Sequence, residues 1–84
     1  MNPSADELVL FQLYRKEDES GISGEGTVAF GLRFPEPNGG VVLGWMSDQN
    51  SVAVYDSIAD VEAIHGHGGA TVVIEMDTID IGPR

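Results

Sequence analysis

Cysteine is missing altogether from this chain, and lysine occurs once, at Lys16. The first absence excludes disulfides and thiolate metal sites, so packing alone must hold the fold. The second belongs to a wider deficit of positive charge: four Lys and Arg stand against 14 Asp and Glu, a formal charge of −10. Such a chain repels phosphate backbones and anionic lipid, which argues against direct nucleic-acid binding and favours a basic protein partner. Long apolar runs are absent too. The longest is only a few residues, far below the ~20 needed to cross a bilayer, and the opening MNPSADELVL has neither a basic nor a long apolar segment of the secretory kind. The expectation is a protein of the host cytoplasm or of a virion, with no membrane segment.

What is present is short and acidic. With 84 residues the chain makes one domain, 1–84, with an ordered core expected over about 8 to 76 and flexible ends. A chain of this size buries only roughly 60 to 65 % of its unfolded surface, so an enclosed active-site cavity is not expected and self-association would help stability. Carboxylates run from Asp6 to Asp80. Dispersed in this way they fit a surface that holds water in a high-salt, halophilic cytoplasm. The competing reading is a DNA mimic that occupies the basic groove of a nucleic-acid-binding enzyme.

Hydrophobic periodicity predicts five strands and one helix. LVLFQL (8–13) is dense in strand formers, with Val9, Phe11 and Leu13 on one face. RKEDE (15–19) and the glycine-spaced SGISGEG (20–26) form a loop. TVAFGLRF (27–34) alternates Val28, Phe30, Leu32 and Phe34 against smaller or charged residues, with Gly31 as a bulge or bend. Asn38-Gly39 suits a hairpin turn, so VVLGWM (41–46) folds straight back. VAVY (52–55) completes the meander. In DSIADVEAIHG (56–66) Ile58, Val61 and Ile64 recur at helical spacing, with Ser57 or Asp56 as the cap. TVVIEM (71–76) is the final strand and TIDIGPR a tail, either paired or free. The fold class is α+β: a four-stranded antiparallel meander, one short helix and a final strand, forming a small barrel-like or strongly twisted sheet.

Within IHGHGGAT (64–71) the glycines follow the helix. A phosphate-cradling loop places them before it, where free N–H groups face the anion, so a nucleotide site is not indicated. Gly66 fits the left-handed position that ends a helix, and His65 suits the last turn. The His-x-His spacing of His65 and His67 suggests a metal, with the carboxylates of Glu62 and Asp56 to complete the set, but zinc needs three or four donors and no second His or Cys pair exists. Serines at 20, 23, 47, 51 and 57 lack a nucleophile-elbow context. No enzyme and no cofactor is expected. Trp45, Phe11, Phe30 and Phe34 read as core residues, and Arg33 as an ion-pair partner.

Taken together, the aromatic first strand, S-G-x-S-G-x-G, a V-A-x-G strand, Trp45, S-x-x-x-Y-x-S and I-H-G-H-x-G-x-T resemble a group of small uncharacterised proteins of phages, prophages and archaeal viruses. The last motif is the most specific, matched at Ile64, His65, Gly66, His67, Gly69 and Thr71. Gly44 departs from the pattern, where a larger, often basic residue is expected. The resemblance implies a viral or mobile-element origin and no catalytic residue. The functional expectation is a small acidic, non-enzymatic protein-interaction module: an accessory regulator, a counter-defence factor or a minor virion component. Its interaction loops would present Ser20, Gly21, Ser23, Gly24 and Gly26 on one side and His65, Gly66, His67, Gly69 and Thr71 on the other.

Overall fold

A computed structural model describes residues 6–16, 26–46 and 51–82, apart from the side chain of His67. Most of the SGISGEG loop, the turn after Met46 and both chain ends therefore lie outside the described residues. Five strands form one antiparallel sheet: β1 (Glu7–Arg15), β2 (Gly26–Arg33), β3 (Val41–Trp45), β4 (Ser51–Tyr55) and β5 (Thr71–Asp80). Helix α1 (Ile58–His65) and a 3-10 turn (His67–Gly69) separate β4 from β5. The α+β class and the meander stand as expected from the sequence.

The spatial order is β4-β3-β2-β1-β5, which corrects the barrel-like expectation. Helix α1 carries the chain from one edge of the sheet to the other, where β5 pairs with β1. Since β4 and β5 end up as opposite edges, the sheet stays open. Of the two alternatives for TIDIGPR, pairing holds: β5 runs on to Asp80, opposite Glu7, and the Ile81 N–H donates to the Asp6 carbonyl at 3.2 Å.

Helix α1 begins where Ser57 accepts a hydrogen bond at Oγ from the Asp60 N–H at 3.2 Å, so Ser57 rather than Asp56 is the cap. This satisfies one of the amide groups that every helix start leaves open. Val61 is wholly buried and Ile58 packs beside it. Ile64 is exposed, contrary to the spacing argument. Four residues beyond Val61 comes His65, and it is this side chain that completes the sheet-facing stripe.

The core is one layer thick. Val9, Phe11 and Leu13 of β1, Ala29 of β2, Val41 and Leu43 of β3 and Val61 of α1 are buried. The face expected for β2 is inverted over most of its length: Phe30 and Phe34 are exposed while Ala29 and Arg33 are buried, and of the expected set Val28 packs against the core. Gly31 explains the inversion. It pairs with Phe11, whose ring fills the space where a Cβ at position 31 would stand. A large ring on β1 requires a small partner on β2, so the small residues of β2 face inward. Gly31 is thus a cradle and not a bulge. The register shifts fall elsewhere, at Leu13/Tyr14 opposite β2 and at Leu10/Phe11 opposite β5.

Candidate functional site

Two regions have the chemistry of a recognition site. The first is the end of α1. His65, half-buried in the last turn, has its Nε2 atom 2.7 Å from the Tyr55 hydroxyl of β4. Its ring meets Trp45 of β3 edge-on at a centroid distance of 4.8 Å, and Tyr55 at 5.6 Å. Trp45 and Tyr55 lie on the helix side of the sheet, on either side of the Leu43–Ala53 pair. His65 therefore spans both aromatic residues and ties the helix to the β3–β4 side. Trp45 is partly buried against the core, in line with its expected role.

The glycines beyond His65 reverse the chain, at positions different from the expected one. Gly66 is right-handed (φ −69°), and its N–H donates to the Glu62 carbonyl at 2.9 Å. Residue 66 continues the helical hydrogen bonding, so the left-handed conformation is deferred to Gly68 (φ 66°) and Gly69 (φ 101°). There the absence of a Cβ is what the backbone needs. The Gly66 carbonyl then accepts from both Gly69 and Thr71 N–H groups, each at 3.0 Å. Thr71 is buried, and its Oγ1 accepts from Arg15 Nε at 3.4 Å. It anchors β5 and does not present itself as a loop contact. Gly26 pairs with Arg15 from the other side, so residues from both glycine motifs flank Arg15 at one end of the sheet. Ser20, Gly21, Ser23 and Gly24 lie outside the described residues.

Among the described residues no three His, Asp or Glu side chains gather in a metal-holding group. Glu62 is exposed on α1, and His65 is engaged by Tyr55 and Trp45. Arg33 is nine-tenths buried. Its guanidinium lies 3.6 Å from the Glu36 carboxylate and donates to the Glu7 carbonyl at 3.4 Å, as suits an ion-pair residue on the covered face. No helix among the described residues is long and apolar enough to cross a membrane.

The second region is the face of the sheet that α1 leaves bare. Residues directly opposite one another in antiparallel strands share a face, so the register lays out this surface in rows. One runs Val54–Val42–Leu32–Leu10 and ends at Asp77; the next runs Val52–Gly44–Phe30–Gln12–Ile74. Tyr14 beside Val72, and Leu8 beside Ile79, extend it along β1 and β5. Val54 is 77 % exposed and Val52 71 %, and Phe30, Ile74 and Ile79 are also exposed. Within the strand ladders Asp77 is the single charged residue on this face, a sharp contrast with a chain of net charge −10.

Sequence reasoning passed over this surface although the signal was present. LVL in β1, VVL in β3 and VVI in β5 are apolar at consecutive positions. Strands of that kind are made to be covered on both faces. One helix of eight residues covers only one.

Comparison with known families places the chain. A family model described as the Acb5 phage protein matches residues 8–77, from β1 to near the end of β5. The chain belongs to this phage protein family. The match spans most of the sequence, including both sheet edges, the helix and the histidine-glycine turn, and it supports the expected phage association. Neither a curated protein nor a solved structure matches at a significant level.

Proposed function

We propose that this member of the Acb5 phage protein family is a small protein-interaction module that acts by recognition and not by catalysis, within the infected cell or in the virion. The observation that carries the reading is the bare apolar sheet face. Soluble monomers rarely expose contiguous apolar patches beyond a few hundred Å², and larger ones mark contact surfaces. The acidic remainder of the chain supports a role in steering basic partners towards the module and in keeping it soluble. The accessory, counter-defence and virion roles all fit a module of this kind.

Site-specific photo-crosslinking during phage infection tests the reading. A photoreactive residue at Val54, the exposed β4 end of one apolar row, is expected to trap a discrete polypeptide. One at exposed Glu62 on α1 serves as the control. If Val54 traps nothing beyond the Glu62 background, the face is not a recognition surface and the proposal falls.

A further inference from the structure

Resting on the reading of the bare face as a contact surface, the geometry points to a second copy of this chain as its occupant, packed sheet on sheet about a two-fold axis. Three observations select this partner.

The first is charge. Each copy carries −10, so copies repel wherever carboxylates face each other. The bare face, where Asp77 at the β5 margin is the one charged residue of the strand ladders, is where two such chains can approach most closely. A partner chosen by its basic charge would find little here to pair with.

The second is shape. Gly44 and Phe30 are direct cross-strand neighbours on this face. Phe30 is exposed, and a Cβ built at Gly44 would meet only the Phe30 carbonyl oxygen, at 3.8 Å. The ring therefore stands clear of the hollow beside it. A protrusion adjacent to a hollow is self-complementary under two-fold rotation, since each copy's Phe30 can enter the other's Gly44 notch. Isologous contacts have this property.

The third is size. Five strands of five to ten residues, at about 4.8 Å between strands and about 3.3 Å per residue, give roughly 400 to 600 Å² in projection. Side-chain relief raises the accessible area above that figure. Two such faces together reach the lower end of a standard interface, roughly 1,200 Å² in total. Stacked sheets then lie about 10 Å apart, with the aliphatic rows of both copies interleaved as in a β-sandwich. The assembly leaves α1, the acidic side chains of both helices and the histidine-glycine turns on the outside, available to other partners.

Sedimentation equilibrium of the full chain over a concentration series is the test, with circular dichroism to verify folding of each variant. The expected mass is twice 8.9 kDa. Association is expected to tighten as salt rises from about 0.05 to 0.5 M, because screening relieves repulsion between like-charged copies. Val54→Lys and Gly44→Leu should each weaken it at least tenfold while remaining folded, the second because it fills an open notch. A single-chain mass at millimolar concentration overturns the proposal, and so does a dimer that survives either substitution. The Val54 crosslink separates this outcome from failure of the wider reading. A product of two identical chains supports both proposals. A product with a different polypeptide from a monomeric protein keeps the recognition reading and overturns the dimer, and no product overturns both.

Discussion

The two faces of the sheet are built from the same strands and nearly the same residue types, yet one is filled and the other empty. On the covered face Phe11 presses into the space over Gly31, with Leu13, Val41, Leu43 and Val61 around it. On the bare face Phe30 stands beside Gly44 with open space at the glycine. Each face thus has an aromatic residue opposite a glycine in neighbouring strands, with opposite consequences. Where the helix closes the layer, ring and glycine fit within one molecule. Where no described residue closes it, the same combination leaves a protrusion and a hollow. Apolarity alone does not make a core; a second layer does.

Substitutions can break this contrast, beginning with the covered face. Phe11→Ala removes the largest fully buried side chain and is expected to cost about 3 to 5 kcal/mol, a severe loss for a domain this small. Chemical denaturation measures it. At the bare-face counterpart, Phe30→Ala should change single-chain stability much less. Gly31→Val should follow at about 1 to 3 kcal/mol of destabilisation, since the new side chain collides with the Phe11 ring and overpacked sites relax only in part. Equal costs for Phe11→Ala and Phe30→Ala would remove the distinction between the faces.

Smaller effects concern how the helix is fastened over the covered side. Tyr55→Phe deletes the hydroxyl that meets His65 Nε2 at 2.7 Å while keeping the ring contact. A loss of about 1 kcal/mol is expected, typical of one partly buried hydrogen bond. The midpoint of thermal unfolding reports it, and an unchanged midpoint would mean that the ring contacts alone hold α1 in place.

The residues that sequence reading placed correctly are those whose role is local. Val9, Phe11 and Leu13 alternate within one strand, and Ser57 caps the helix that follows it. What it misplaced depends on partners distant in sequence. Alternation in β2 favours Phe30 and Phe34 as core because they are the larger apolar set. The fold turned that set outward because Phe11, some twenty residues earlier, needs Gly31 opposite it. His65 displaced Ile64 from the sheet-facing stripe because Trp45 and Tyr55 offer it ring contacts and a hydrogen bond. The left-handed turn slipped from Gly66 to Gly68 and Gly69 because one further helical hydrogen bond was available to residue 66. Of the expected interaction residues, Thr71 proved buried and His65 engaged, while the bare face was hidden in runs that looked like ordinary strands.

The smallest expected effect has the opposite sign and isolates the contrast best. Gly44 occupies a strand interior with room for a Cβ. A glycine there keeps more freedom in the unfolded chain than alanine does and packs nothing against its neighbours. Gly44→Ala, measured at dilution where the single chain is the species present, should therefore raise stability by about 0.5 kcal/mol. The same replacement at Gly31 should lower it, because even a methyl group falls within the Phe11 ring. The two glycines occupy neighbouring strands of one sheet, so secondary-structure propensity favours alanine at both. What distinguishes them is whether a neighbouring ring already occupies the space over the glycine, and a loss of stability at both sites would show that the space beside Gly44 is already filled within the single chain.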